Sequence, residues 1–318
     1  MEGRMRNKKG LTLVELMVAL LIFGVFMASL VQVLSLQNRK SVQVQTTSNL
    51  HMDAQVAFDI LKNDIYHAGL GISVDRFPIL SNDGGDNPDA ITLFGVALGS
   101  EIPELRWNPV IEKSGNGVFV CLSWEDTTKN IQLNDNIVVL ASDKTLIYDT
   151  LKVTQVRRDR DTLKITVNNN SASCLASSNL FVIIDRNIYL NGITYHIENI
   201  DGVPVLMRGN ERFLENVEDI QFAYGLDINN DGEVEDNEFR DDLMDFEDEI
   251  DGFSSSTLYD RKFLVRLSML VRTENRLQDV LYPENLRIEN RTINFTPSER
   301  KYDRVLLTTT ISPRNVKE

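Results

Sequence analysis

Lys8-Lys9-Gly10-Leu11-Thr12-Leu13-Val14-Glu15-Leu16 opens an apolar run, LTLVELMVALLIFGVFMASLVQVLSL over residues 11–36, that constrains the fold more than any other stretch of the 318 residues. Its one charge is Glu15, and Leu16 to Leu36 is uncharged. As a helix those 21 residues span about 31 Å at ~1.5 Å per residue, which matches a hydrocarbon core about 30 Å thick. The preceding decapeptide MEGRMRNKKG carries four basic residues against one acid. Basic residues before a span stay on the cytoplasmic side, so the expectation is a single-pass anchor with the rest of the chain outside the cytoplasm. A secretory signal peptide has the same order of charge and grease, but its apolar stretch is shorter, about 7–15 residues. The only small-residue site, Met27-Ala28-Ser29, falls inside the run. An ordinary signal anchor leaves Glu15 unexplained. A carboxylate at mid-membrane depth costs about 2.5–3.5 kcal/mol to insert, and an intramembrane acid calls for a partner.

Beyond Leu36 the helical pattern continues. Leu50, Ala54, Ala57, Leu61, Ile65 and Ala68 recur at helical spacing, while Asp53, Gln55, Asp59, Lys62 and Asn63 lie off that stripe. Gly69 and Gly71 supply the stop. One long helix is expected over 11–68, with a transmembrane segment at 11–36 and an amphipathic half within 37–70. Two helices broken at the polar stretch Gln37–Ser48 are the competing arrangement. After Gly71 the period changes to two. Expected strands are Ala90–Val96, Gly117–Trp124, Asn136–Ala141, Leu146–Arg157, Thr162–Asn168, Leu180–Ile184, Gly192–Ile197, Val203–Arg208, Asp219–Leu226, Phe263–Arg272 and Tyr302–Ile311. Asp201-Gly202 is a hairpin turn signal between two of them. Ser81–Asp89 and Asn168–Ser178 read as loops. No amphipathic helices alternate with the strands, which excludes a doubly wound parallel sheet. The fold class is therefore α+β: a long N-terminal helix packed on an antiparallel β head over 71–318.

The leader, residues 1–10, resembles that of type IV prepilins: a basic pair, Gly10, a short apolar stretch and Glu15, all in register before a span. That resemblance implies cleavage by prepilin peptidase after Gly10, N-methylation of Leu11, and a part in assembly for Glu15. Leu11 stands where the family most often has Phe. Glu218–Asp227, Phe263–Arg272 and the ending Leu306–Asn315 are similar to PilW-type minor pilins, with looser likeness to J-type minor pseudopilins of type II secretion. A minor pilin is implied, one that helps initiate or cap the pilus. It would first reside in the inner membrane among its lipids and then in the pilus at the cell surface, with other major and minor pilins as partners through the N-terminal helix. A minor pseudopilin of a type II secretion system is the alternative on the same fold.

Net charge is −14, but residues 215–251 alone hold 16 acids against one Arg, so the remainder sums to +1. Inside that segment, Asp227 to Glu238 fits the twelve-residue EF-hand calcium loop. Asp227, Asn229 and Asp231 stand at positions 1, 3 and 5, Gly232 at 6, the Glu233 carbonyl at 7, Glu235 at 9 and Glu238 at 12. Calcium is thus an expected cofactor. The strand-like flank differs from a helix-loop-helix, and a solvated acidic loop is the plainer alternative. A membrane-anchored, calcium-dependent binding module is the remaining functional alternative.

Two cysteines exclude a disulfide-rich scaffold and a four-cysteine zinc site. Cys121 and Cys174 form a candidate disulfide or stand as separate thiols. His51, His67 and His196 are scattered, and no nucleophile elbow, P-loop or dinucleotide fingerprint occurs. The expectation is a non-enzyme. Net acidity argues against nucleic acid as a partner, and Arg157, Arg158 and Arg160, interleaved with Asp159 and Asp161, read as a solvated turn.

Overall fold

A computed structural model describes residues 13–96, 98, 106–114, 117–168, 180–277 and 280–316. Helix α1 runs without interruption from Leu13 to His67, so the break weighed at Gln37–Ser48 does not occur. Thr46 sits within that polar stretch, yet its hydroxyl bonds back to the Val42 carbonyl at 2.9 Å, which satisfies it inside the helix. The helix stops where Gly69 takes φ +83 and its N–H bonds to the Phe94 carbonyl, a left-handed exit that glycine adopts without strain.

The chain divides into two compact units, residues 1–49 and 50–318. In the first, every described side chain from Leu13 to Val42 is exposed. In the second, the remainder of α1 buries Ala54, Ala57, Phe58, Leu61, Asp64 and Ile65. Five of the six expected stripe residues are buried and Leu50 is half-buried.

Two antiparallel sheets supply the rest of this core. The first has the order β1-β2-β9-β10-β11, formed by Ile79–Asn82, Ala90–Leu93, Ile193–Ile200, Val203–Arg208 and Glu211–Glu215. The second has the order β13-β12-β14-β17, formed by Phe239–Arg240, Val217–Leu226, Phe263–Arg272 and Arg304–Ile311. In β12 and β14, Ile220, Phe222, Tyr224 and Leu226 lie opposite Met269, Leu267, Val265 and Phe263, making one apolar face. That face shares a core with Phe58, Leu61 and Ile65 of α1 and with Ile91, Leu93, Tyr195 and Leu206 of the first sheet. Each such side chain contributes about 1.5–3 kcal/mol of burial, so the helix is held chiefly by packing. The β9–β10 turn follows its Asp-Gly signal, with Asp201 and Gly202 both at positive φ, as a type I′ hairpin requires.

Strands β4 to β8 were expected as part of one head; with β3, which the sequence did not reveal, they instead close into a six-stranded barrel, β3-β4-β7-β6-β5-β8. They span Trp107–Ser114, Val118–Leu122, Asn136–Ala141, Leu146–Asp159, Thr162–Val167 and Leu180–Asp185. The barrel is inserted between β2 and β9, which pair directly through Ile91 and Tyr195. It has a core of its own built on Phe119, Cys121, Ile137, Leu151, Val153 and Ile165. A second cluster joins Val138, Leu140 and Ile184 of the barrel to Ile72, Phe94 and Val96 of the head. A final hairpin, β15 at Asn285–Ile288 and β16 at Arg291–Asn294, lies over the second sheet against Leu270. The first two residues of the expected Ser81–Asp89 loop, Ser81 and Asn82, belong to β1.

Candidate functional site

Two features are candidate functional sites: the exposed first half of α1 and the acidic loop. Along α1, Leu13, Leu16, Leu20, Phe23, Phe26 and Leu30 all stand largely exposed. This helix is long and apolar enough to cross a membrane. Glu15 sits in its first turn, while Gly10 and Leu11 lie outside the described residues. Ser29, one of the uncharged polar side chains of the span, bonds to the Val25 carbonyl at 2.9 Å, which suits a hydroxyl in lipid. Past the span the outer face of α1 keeps apolar residues at helical spacing, with Met52, Val56 and Ile60 63%, 56% and 39% exposed. A helix with one face in a core and apolar groups on the other presents them to another helix or to lipid.

The second half of α1 is tied to the head by a polar lock that sequence reasoning did not find. Tyr195 Oη donates to Asp64 Oδ2 at 2.6 Å, and Arg208 Nη2 donates to the same oxygen at 2.9 Å. Asp64 and Tyr195 are almost fully buried. The one available signal was an aspartate between Leu61 and Ile65, on the stripe rather than off it.

In the acidic loop, side-chain and backbone groups bond in a repeating way. Asn229 Oδ1 accepts from Asp231 N, Asp231 Oδ1 from Glu233 N, and Asp227 Oδ2 from Gly232 N. Asp227 and Glu238 are buried at 2% and 5% exposure. Glu238 Oε1 accepts from Ile228 N and Asn229 N, and its Oε2 accepts from Glu235 N. Gly232 adopts φ +90, with open space where a side chain would project. Arg261 Nη1 donates to the carbonyls of Asp227 and Ile228, and Lys262 Nζ to that of Gly232, closing the loop's other side. The donor set is all hard oxygen, the chemistry calcium takes. Among the described residues no three acidic, histidine or cysteine side chains converge tightly enough to hold a metal by themselves.

Of the cysteine pair, Cys121 is a free thiol buried in the barrel core. Cys174 lies outside the described residues, and so does any bond to it. Burial pushes the Cys121 thiol up to about 12.

An exposed, membrane-competent N-terminal helix continuing into an antiparallel β head is consistent with a pilin-like α+β fold. Comparison with known families agrees from both ends of the chain. Residues 5–31 match the prokaryotic N-terminal methylation motif, and residues 195–315 match PilW, described as type IV pilus-assembly protein W. Together they support a PilW-like minor pilin, a type IV pilus-related protein anchored in a membrane. No curated protein and no solved structure matches the chain. The PilW match covers β9 through β17, and the barrel lies between the two matched stretches.

Proposed function

We propose that this chain is a minor pilin that primes or caps type IV pilus assembly, as a structural subunit with no reaction of its own. Prepilin peptidase would cleave after Gly10 and methylate the new N-terminus at Leu11. The observation that carries this reading is the leader motif set directly before an exposed apolar helix with one acid, Glu15. Cleavage creates a positive amine at Leu11, four residues from that carboxylate. In a bundle of such helices, Glu15 of one subunit and the Leu11 amine of a neighbour can share the low-dielectric interior. Misregister would leave two buried charges without partners, at a cost of several kcal/mol. Glu15 thereby selects register and partner. The apolar row Met52, Val56 and Ile60 extends the contact face with other pilins. Some 250 residues of head, enlarged by the inserted barrel, favour a sparse tip subunit over a repeating one. In a host lacking this protein, Glu15→Ala should reach the membrane at normal level yet fail to restore pili. Full restoration would sink the pairing argument, and restored exoprotein release in place of pili would assign the chain to a secretion pseudopilus.

We also propose that residues 227–238 take calcium. Support comes from the spacing of Asp227, Asn229, Asp231, Glu235 and Glu238, from the Glu233 carbonyl, and from the turns that orient the first three. Bound there, calcium would neutralise a segment whose acids repel one another, at the roughly 10⁻⁴–10⁻³ M affinity of extracellular modules. Glu238→Ala should then reduce a calcium-dependent rise in melting temperature. An unchanged rise, or no rise in the unsubstituted chain, counts against the loop.

A further inference from the structure

The second sheet buries its apolar face against α1, but its other face holds charge. Cross-strand pairing places Asp219 and Gln221 of β12 opposite Leu270 and Ser268 of β14, and the β15–β16 hairpin closes over them. Arg291 Nη1 meets Asp219 Oδ1, Ser268 Oγ donates to Glu289 Oε1, and Glu289 Oε2 pairs with Arg266 at 3.5 Å. Along the open edge of β12 runs the segment before β2. Asp89 N bonds to the Ile220 carbonyl, Asp89 Oδ2 accepts from Phe222 N, and the Asn87 carbonyl accepts from Gln221 Nε2 at 3.4 Å.

Two oxygens in this niche are left over. Asp219 and Gln221 are both fully buried, and neither Asp219 Oδ2 nor Gln221 Oε1 has a donor among the described residues. They belong to adjoining side chains, joined by Gln221 Nε2 donating to Asp219 Oδ1 at 3.1 Å. A buried acceptor without a donor costs about 1–3 kcal/mol, more when charged. The surrounding charge is one-sided. Asp83 and Asp219 act on Asp89, and Asp83 and Glu289 on Asp241, against Arg291 beside Asp219 and Arg266 beside Glu289. Burial, with the charges of Asp83 and Asp219 adding, pushes the Asp89 carboxyl up to about 7.

We propose that this niche beneath the β15–β16 hairpin binds a hard cation, with Asp219 Oδ2 and Gln221 Oε1 as its fixed oxygens and the Asp89 carboxylate as its charge partner. Carboxylate, amide and backbone carbonyl oxygens, completed by water, are the mixture that calcium accepts. Such a set needs no trio of acidic ligands. It is distinct from the loop at 227–238, shares no residue with it, and does not depend on the pilin reading.

The test uses the full chain in detergent, stripped by chelator and titrated with calcium chloride, read by calorimetric binding and by melting temperature. Gln221→Met keeps the side chain's length and removes the oxygen. Glu238→Gln disables the loop alone. The proposal expects a calcium-dependent rise in melting temperature that survives Glu238→Gln. It also expects Gln221→Met to weaken the corresponding site about tenfold or more, since even outer partners of metal ligands matter by that factor. If Gln221→Met fails to fold, Asp219→Asn serves with the same readout. The proposal is overturned if calcium leaves the unsubstituted chain unchanged, or if all binding disappears with Glu238→Gln and none with Gln221→Met.

Discussion

At the scale of single residues, the head depends on polar groups that a hydropathy reading passes over. Asp64 is 1% exposed and receives hydrogen bonds from Tyr195 and Arg208. Burial, with the Asp64 charge beside it, pushes the Tyr195 phenol well above its ordinary value, so it remains a donor throughout the working pH range. Removing the shared acceptor leaves a half-buried guanidinium without its carboxylate. Asp64→Ala should therefore destabilise the head by about 1–3 kcal/mol in denaturant unfolding, with Asp64→Asn milder. Cys121 makes a second prediction. Its folded-state thiol is raised from an ordinary 9.0 to about 12, so the folded state resists ionisation while the unfolded state does not. Cys121 therefore contributes no pH dependence below about 9, and above that value stability falls as pH rises. At neutral pH Cys121 should escape alkylation in the native protein. It should label on denaturation without reductant, whereas labelling only after reduction would mean that Cys121 is disulfide-bonded. The Asp64 lock was illegible in the sequence because its three members lie on three elements, and only contact between those elements explains why an aspartate sits on an apolar stripe.

Among the elements, those with strong local signals were readable. The boundaries expected for Asn136–Ala141, Val203–Arg208 and Phe263–Arg272 are those observed, because each is a short, mostly apolar run with polar or turn-forming residues at its ends. The long helix was readable for the same reason, since a continuous 3.6-residue stripe reaches Ala68 with no proline before residue 78. Trp107–Ser114 escaped because Pro109, Glu112 and Lys113 break its alternation, and Glu211–Glu215 because an edge strand needs little apolar content. Leu61, fully buried at the centre of the helix–sheet core, should cost about 2–5 kcal/mol when cut to alanine, measured by denaturant midpoint. Gly71 sits at φ +73, where an added Cβ would stand 2.9 Å from Ile184 Cδ1 and 3.0 Å from Val96 Cγ1. Gly71→Ala should thus destabilise the head by roughly 1–3 kcal/mol, a strain of both backbone and packing.

For the whole molecule, the anchored, pilin-like plan was legible from the first 36 residues and the α+β class from the period-two strands after Gly71, while the inserted barrel was not. Period-two alternation marks strands but not which strand each one pairs with, and closure of β3 through β8 is a matter of pairing. The Phe119–Ile165 core draws only on barrel residues. Residues 106–186 expressed alone should therefore unfold cooperatively by circular dichroism, at a lower midpoint than in the full chain because Val138 and Leu140 lose Ile72 and Phe94. The leader motif carries the functional account further than any part of the head. The most direct test is mass spectrometry of the mature N-terminus of the protein isolated from its native host. A chain beginning at N-methylated Leu11 is the predicted result, and an intact Met1 on the functioning protein would contradict the account.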